Sequence, residues 1–310
     1  MELRQLRYFV AIADHGSLSR AALVLHIAQP ALTQQLRQLE DELGVQLLHR
    51  SAKGVLSTDA GKIFYEHAQA ILKQVADARS AVTQSAERPS GGVTLGLPHS
   101  ISGALALPLL TAARATYPEI TLQLTEELSG NLTEQLKSGR INLAVLFDDG
   151  QLGGFDCGAL VEEELVFICR SPSVFRPASD TVALAEALAS TLILPAQQQG
   201  VRPRIEKVAR AAGLSLANVI EINSIAILKS AILADMGATI LPRAPLLDDI
   251  ERGAMRAWPL HSPALSRSVT LCASRNIPLT NAAAAIRRLV HDVTRTLCAG
   301  GAWQGASLLN

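Results

Sequence analysis

The hydrophobic period of the chain changes at Pro89-Ser90-Gly91-Gly92. Upstream, apolar residues recur every three or four positions, the period of an α-helix. Downstream, short apolar runs alternate with helical stretches, the pattern of an α/β domain. Proline and paired glycines end helices and favour turns. A chain of 310 residues is thereby divided into a helical N-terminal part and an α/β C-terminal part, with 89–92 as the hinge. Hydrophobic residues make up 48% and charged residues 18%, enough apolar material for a sizeable core. Aromatic residues are only 4%, and a core built of Ala, Leu, Val and Ile suits helices packed on buried parallel strands.

Residues 1–57 read as a compact domain. Leu3, Leu6, Phe9, Val10 and Ala13 keep one face of a first helix apolar, and Gly16 closes it. Ser17 is placed to N-cap a second helix whose inward residues are Leu18, Ala21, Ala22 and Leu25. Gln29-Pro30 opens a third helix, since proline is tolerated in a first turn. Its stripe is Leu32, Leu36, Leu39 and Leu43, and Gly44 follows as the stop. Two short strands, 46–50 and 54–57, then flank a turn holding Arg50, Ser51 and Lys53.

This layout leaves Gln29, Thr33, Gln34, Arg37 and Gln38 on the outer face of the third helix. Amide and small side chains with one arginine are groups that meet base edges and phosphates in a major groove. In the wing, Arg50 or Lys53 is placed for the DNA backbone or minor groove. Charge alone gives no nucleic-acid footprint, because the chain holds 28 basic and 28 acidic residues. Residues 1–60 are also balanced: Arg4, Arg7, Arg20, Arg37, Arg50 and Lys53 stand against Glu2, Asp14, Glu40, Asp41, Glu42 and Asp59. The acidic run Glu40–Glu42 does lie at the far end of the third helix, away from its N-terminal contact zone. By period alone, a three-helix bundle with a merely solvated polar face fits as well.

Residues 58–88 read as one long helix, with Thr58 as its cap. Phe64, Ala68, Ile71, Val75, Ala78 and Val82 are spaced 4, 3, 4, 3, 4, a heptad seam among the polar Lys73, Gln74, Asp77 and Arg79. Such a seam can pair two chains, which suits two DNA readers on a twofold axis, or it can pack on its own chain.

Three stretches carry a resemblance: LRQLRYFVAIADHGSLSRAA (3–22), AQPALTQQLRQLEDELGVQLLHR (28–50) and TDAG (58–61). In type and spacing they resemble the DNA-binding domain of LysR-type transcriptional regulators, and the later organisation fits that family over nearly the whole chain. The N-terminal wording looks nearest to its nitrogen assimilation control subgroup. The resemblance implies an N-terminal all-α winged helix-turn-helix (1–57) and a dimerising linker helix (58–88). It further implies a C-terminal α/β, two-lobed, periplasmic-binding-protein-like effector domain (93–310). Base reading would fall on Gln29, Pro30, Ala31, Thr33 and Gln34, and phosphate positioning on Ser17, Arg37, Arg50 and Lys53. Many relatives carry Ser-Arg where this chain has Thr33-Gln34. The missing charge implies a weaker electrostatic contribution and an altered base preference. Implied partners are double-stranded promoter DNA, RNA polymerase and a small-molecule effector, in a cytoplasmic homodimer or homotetramer with no cofactor.

In the C-terminal part, strands are expected at 93–97, 120–125, 142–147, 164–169, 191–194, 219–222, 238–241 and 268–273, with helices at 104–116, 201–212, 225–236 and 281–297. On the family's pattern, 93–161 with 268–300 form lobe I and 162–267 form lobe II. The cleft between them is the ligand site. Strand-end positions would line it: Ser100, Ser102, Ser129, Phe147, Gln197, Gln199 and Ser224. Each serine can equally be only a helix cap. Helix N-termini favour an anionic metabolite. Arg202 and Arg204 are candidates to clamp it, or plain surface charges.

No GxSxG, HExxH, Walker A or GxGxxG motif is present, and the seven histidines are scattered, so an enzyme is not expected. No ligand cluster suggests a metal. Cys157, Cys169, Cys272 and Cys298 are far apart with no CxxC pairing, which argues for reduced thiols rather than zinc or a disulfide framework. No uncharged apolar run reaches the roughly 20 residues of a membrane span, and no signal-peptide pattern opens the chain. The function expected is a sequence-specific transcription regulator in nitrogen or amino-acid metabolism, its DNA-bound arrangement modulated by a metabolite. A constitutive DNA binder without effector, and a metabolite-binding protein whose N-terminal helices only dimerise, remain open.

Overall fold

Glycine stops and a serine cap cut the N-terminal sequence into three helices in the computed structural model of the chain, which describes residues 1–51, 54–83, 88–148, 150, 152–196 and 200–309. These are α1 (Leu3–His15), α2 (Leu18–Leu25) and α3 (Gln29–Leu43). Gly16 and Gly44 end α1 and α3 in the left-handed region, at φ 58 and 69°. The Ser17 hydroxyl caps α2 by accepting the Arg20 N–H at 3.4 Å. Leu6, Phe9, Ile12, Ala21, Ala22, Leu32, Leu36 and Leu39 form the core. Two stripes differ from expectation at their ends. Leu3 and Leu43, the first and last residues of their helices, stay 40% and 37% exposed, while Ile12 and Gln5 join the buried face of α1.

Strands β1 (Leu48–Ser51) and β2 (Gly54–Ser57) form an antiparallel hairpin running from Leu48↔Ser57 to Ser51↔Gly54. Helix α4 (Asp59–Thr83) follows, with the Gly61 N–H donating to Thr58 Oγ1 at 2.9 Å. A Cβ at Gly61 would stand 2.0 Å from the Leu47 carbonyl oxygen, so only glycine lets α4 lie this close to the wing. The seam expectation needs correction. Phe64 and Ala68 pack into their own domain, with Phe64 edge-on to Phe9 at 5.1 Å and Ala68 fully buried. Ile71, Ala78 and Val82 are exposed, Val82 by 85%, and Val75 is half-buried. Only the first turns of the stripe are covered within their own domain, because they lie beside α1.

The chain divides into two units, Met1–Thr83 with Ser138–Arg140 and Gln84–Lys137 with Ile141–Asn310. The second begins β3 (Gly91–Pro98), α5 (His99–Thr116), β4 (Ile120–Glu127), α6 (Ser129–Ser138) and β5 (Leu143–Phe147). The long β6 (Phe155–Arg170) leads to β7 (Val182–Ala183), α7 (Leu184–Ala189), β8 (Thr191–Leu194), α8 (Arg202–Ala211), β9 (Asn218–Glu221), α9 (Ile225–Leu233) and β10 (Thr239–Leu241). Then come α10 (Leu247–Glu251), β11 (Met255–His261), β12 (Leu265–Ser274), α11 (Asn281–Ala299) and β13 (Ala306–Leu308). The main path of the sheet is β4-β3-β5-β12-β6-β11-β7, with β10 and β13 also paired to β6 and a separate parallel pair β8-β9.

Besides a smaller third cluster around Leu132, Leu146 and Phe155, two large hydrophobic cores lie along this sheet. Leu95, Leu105, Val145, Leu271, Ile286 and Trp303 belong to one, and Phe167, Leu192, Ile205, Ile232, Ile240 and Trp258 to the other. The antiparallel strands β6 and β12 run through both: Val161 and Val269 sit in the first core, Leu165 and Leu265 in the second. From the sequence a strand is expected only at 164–169 of β6, whereas the structure extends it back to Phe155 through pairing with β12. The reading of four free thiols is also corrected. Pairing of β6 with β12 sets Cys157 opposite Cys272, Cα atoms 4.1 Å apart, and the two form a disulfide across 115 residues of sequence. Register, which spacing cannot reveal, brings them together. Cys169 and Cys298 are free. Among the described residues no helix is long and apolar enough to cross a membrane.

Candidate functional site

On α3 the residues facing away from the core are Gln29, Pro30, Ala31, Gln34 and Arg37, all exposed, with Thr33 half-buried. Ala28 precedes the helix and offers its first-turn N–H groups no capping side chain. The Gln29 carboxamide oxygen accepts from the Ser19 hydroxyl at 2.9 Å, joining α2 to the start of α3. Ser17 is half-buried and acts as the α2 cap. Arg37 and Arg50 border one open depression with His49 between α3 and the hairpin. Lys53 lies outside the described residues.

Two acidic side chains of α3 that would oppose DNA have partners of their own. Glu40 Oε1 accepts the Leu47 and Leu48 N–H groups at 2.8 and 3.2 Å, fixing the entry to β1. Glu42 sits 2.6 Å from the N-terminal amino group. Sequence position showed these carboxylates at the far end of α3 but not what holds them. Behind the surface, the Tyr65 hydroxyl of α4 donates to the Asp14 carboxylate and accepts from Gln69 Nε2 at 2.7 Å. Burial, and then Asp14, push the Tyr65 pKa up to about 12, so it remains a proton donor tying α4 to α1.

In the second unit a small cavity of about 50 Å³, partly open to solvent, lies between residues of the two cores. From one side it is lined by His99 and Ser100 at the β3–α5 junction, Ser129 at the start of α6 and Phe147 at the end of β5. The other side presents Pro195, Val201, Ile222, Asn223, Ile225 and Leu228. Ser100, Ser129 and Phe147 thus come together as expected positions. Ser102 does not reach the wall; its hydroxyl bonds the His99 carbonyl at 3.1 Å and the Glu126 carboxylate at 2.8 Å. Ser224 caps α9, accepting the Ile227 N–H at 3.4 Å, while its neighbour Asn223 lines the cavity and accepts the Ala196 N–H at 2.9 Å. Gln197 and Gln199 lie outside the described residues.

Neither arginine singled out from the sequence lines the cavity. Arg202 is buried against Glu206 at 2.6 Å, and Arg204 donates to the Ser266 carbonyl at 2.9 Å. The arginine in the wall is Arg267 of β12. Its Nε and Nη2 donate to Glu163 Oε2 on β6 at 2.8 and 2.7 Å, and Nη2 also donates to Ser100 Oγ at 2.9 Å. Its guanidinium carbon stands 3.9 Å from the centre of the Phe147 ring. Trp303 Nε1 donates to the other Glu163 oxygen at 2.8 Å. The sequence held a usable signal. Alternation of Leu265, Arg267, Val269 and Leu271 puts the arginine on the inward side of β12.

Three helices with a two-stranded wing, on a chain that also carries an α/β domain around a cavity, are the parts of a transcriptional regulator with an effector-binding domain. Residues 3–62 match the bacterial regulatory helix-turn-helix protein, lysR family, and residues 86–295 match the LysR substrate binding domain. The chain belongs to the LysR family, whose members are transcription regulators that bind promoter DNA, not enzymes. It is 37% identical over 300 residues to the nitrogen assimilation regulatory protein nac of Escherichia coli (strain K12), covering 94% of this chain and 95% of that protein. Among solved structures it resembles CbnR, a LysR family transcriptional regulator, at 25% identity and a TM-score of 0.68, covering 95% of this chain and 99% of that one. A full-length OxyR variant from Pseudomonas aeruginosa shares the fold at 21% identity and a TM-score of 0.69, covering 95% of this chain and 98% of that one.

Proposed function

We propose that this chain is a cytoplasmic regulator that reads promoter DNA with α3 and the wing, and that a small metabolite between the two halves of its C-terminal domain sets the DNA-bound arrangement. Base edges are met by Gln29, Pro30, Ala31, Thr33 and Gln34, and phosphates by Ser17, Arg37, Arg50 and Lys53. The observation that carries the reading is the exposed amide-and-arginine face of α3 within a segment matching the family's helix-turn-helix. The effector lies against Ser100, Ser129 and Phe147, with Ser102, Gln197, Gln199 and Ser224 at its margins. Lobe I is 93–161 with 268–300 and lobe II 162–267, with 89–92 as the hinge to the linker helix.

The relatives that carry the nitrogen assimilation name support a role in nitrogen or amino-acid metabolism. Exposed Ile71, Ala78 and Val82 on α4 support pairing of two linker helices, in a homodimer or a homotetramer of two dimers that engages RNA polymerase at the promoter. Replacing Gln29, Thr33, Gln34 and Arg37 together by alanine tests the reading surface. Fluorescence anisotropy with promoter DNA and with an unrelated duplex is expected to show loss of the promoter preference by about 100-fold or more. Retention of that preference would remove α3 as the reader.

A further inference from the structure

Resting on the reading of the C-terminal cavity as the effector site, one unsatisfied group in its wall identifies the ligand's chemistry. Arg267 is 5% exposed, and an arginine side chain has five N–H donors. Nε and Nη2 are engaged with Glu163 and Ser100. Nη1 is buried and has no partner among the described residues. Glu163 does not turn to serve it, because its second oxygen accepts from Trp303. Phe147 covers one face of the guanidinium, Glu163 and Ser100 hold one edge, and Arg267 is among the residues that line the cavity.

The surroundings restrict the acceptor for Nη1. Helix α5 starts at His99 behind Pro98, with no capping side chain, and its first residues line the same cavity. The partial positive charge of its N-terminus favours an anion there. A dianion is disfavoured. Glu163 already balances the Arg267 charge, His99 is paired with Glu126 at 3.0 Å, and Glu127 also lines the cavity. Much of the remaining wall is aliphatic: Leu128, Val201, Ile222, Ile225, Leu228 and Leu241. We propose that the cavity takes a small monocarboxylate with a branched aliphatic body, its carboxylate received by Arg267 Nη1 and the first turn of α5 and its body by Leu228, Leu241 and their neighbours. A charged acceptor makes the stronger bond to a guanidinium, and the aliphatic wall excludes a polyol or sugar.

The test is calorimetric titration of the full chain with isovalerate and isocaproate, each compared with its uncharged amide of nearly the same shape. At least one acid is expected to saturate a single site per chain, with its amide weaker by about tenfold or more. Arg267→Lys keeps a cation beside Glu163 but removes the second amino group, so it should lose the preference for acid over amide. Leu228→Trp fills the cavity and should abolish binding of both. Equal binding of acid and amide, no saturable binding of either acid, or undiminished acid binding in Leu228→Trp would each overturn the proposal. The acid–amide comparison uses the wild-type chain and so stands even if Arg267→Lys does not fold. An acid that binds as described but leaves the promoter footprint unchanged would overturn the regulatory reading and leave the ligand class in place.

Discussion

His291 on α11 illustrates how a single side chain couples packing to pH. Its ring lies so close to the backbone of β6 that a Cβ at Gly158 would stand 3.1 Å from it. Burial holds its pKa below the ordinary value of 6.5, and Arg287 and Arg295 lower it further, with Asp292 opposing them. A histidine that resists protonation only when folded contributes stability above its unfolded value and loses it as pH falls through the lower folded value. Stability should therefore decline as pH falls below about 6.5. In His291→Gln this acid-side fall in melting temperature should be shallower; an unchanged slope would contradict the assignment. Arg267 shows packing of another kind, a buried side chain held by Glu163, Ser100 and Phe147. Its inward position could be read from the alternation along β12. Its partner Glu163 lies 104 residues away and becomes visible only once β6 and β12 are paired.

Among the elements, α4 separates two roles that one heptad stripe suggested. Phe64 and Ala68 serve the winged domain, while Ile71 and Val82 remain available to a second chain. Phe64→Ala should lower stability by about 2–4 kcal/mol in urea unfolding, below the full core value because Phe64 is only partly buried. Ile71→Lys with Val82→Lys should instead yield a lighter species in sedimentation velocity and leave the melting temperature nearly unchanged. An unchanged mass would remove the α4 seam from the assembly. The strand pair β6–β12 carries the Cys157–Cys272 disulfide, which closes a loop of 115 residues. Its loss in Cys157→Ser should cost about 2–4 kcal/mol, seen as a lower melting temperature under non-reducing conditions. Equal melting of variant and wild type would mean the bond adds nothing to stability.

Helices α1–α3, the hairpin and most strands were legible because their apolar periods are set by local burial. The first half of β6, the strands β7, β11 and β13, the cysteine pair and the Glu163 partner of the cavity arginine were not. Each of these depends on register or on pairing between segments distant in sequence. At the scale of the whole molecule, a helix-turn-helix of the family's type and a substrate-binding domain with a cavity stand on one chain. A ligand can shift the DNA-bound arrangement only by binding its alternatives unequally. The reading surface comes first in that sequence of events, because without it the cavity has nothing to control. The most direct measurement is a footprint on the DNA flanking this protein's own gene, at physiological salt, with wild type and Gln34→Ala in parallel. Protection of an interrupted palindrome, lost or shifted in the variant, is the expected result. No protection by wild type even at low salt, or identical protection by both proteins, would contradict the assignment of α3 as a sequence reader.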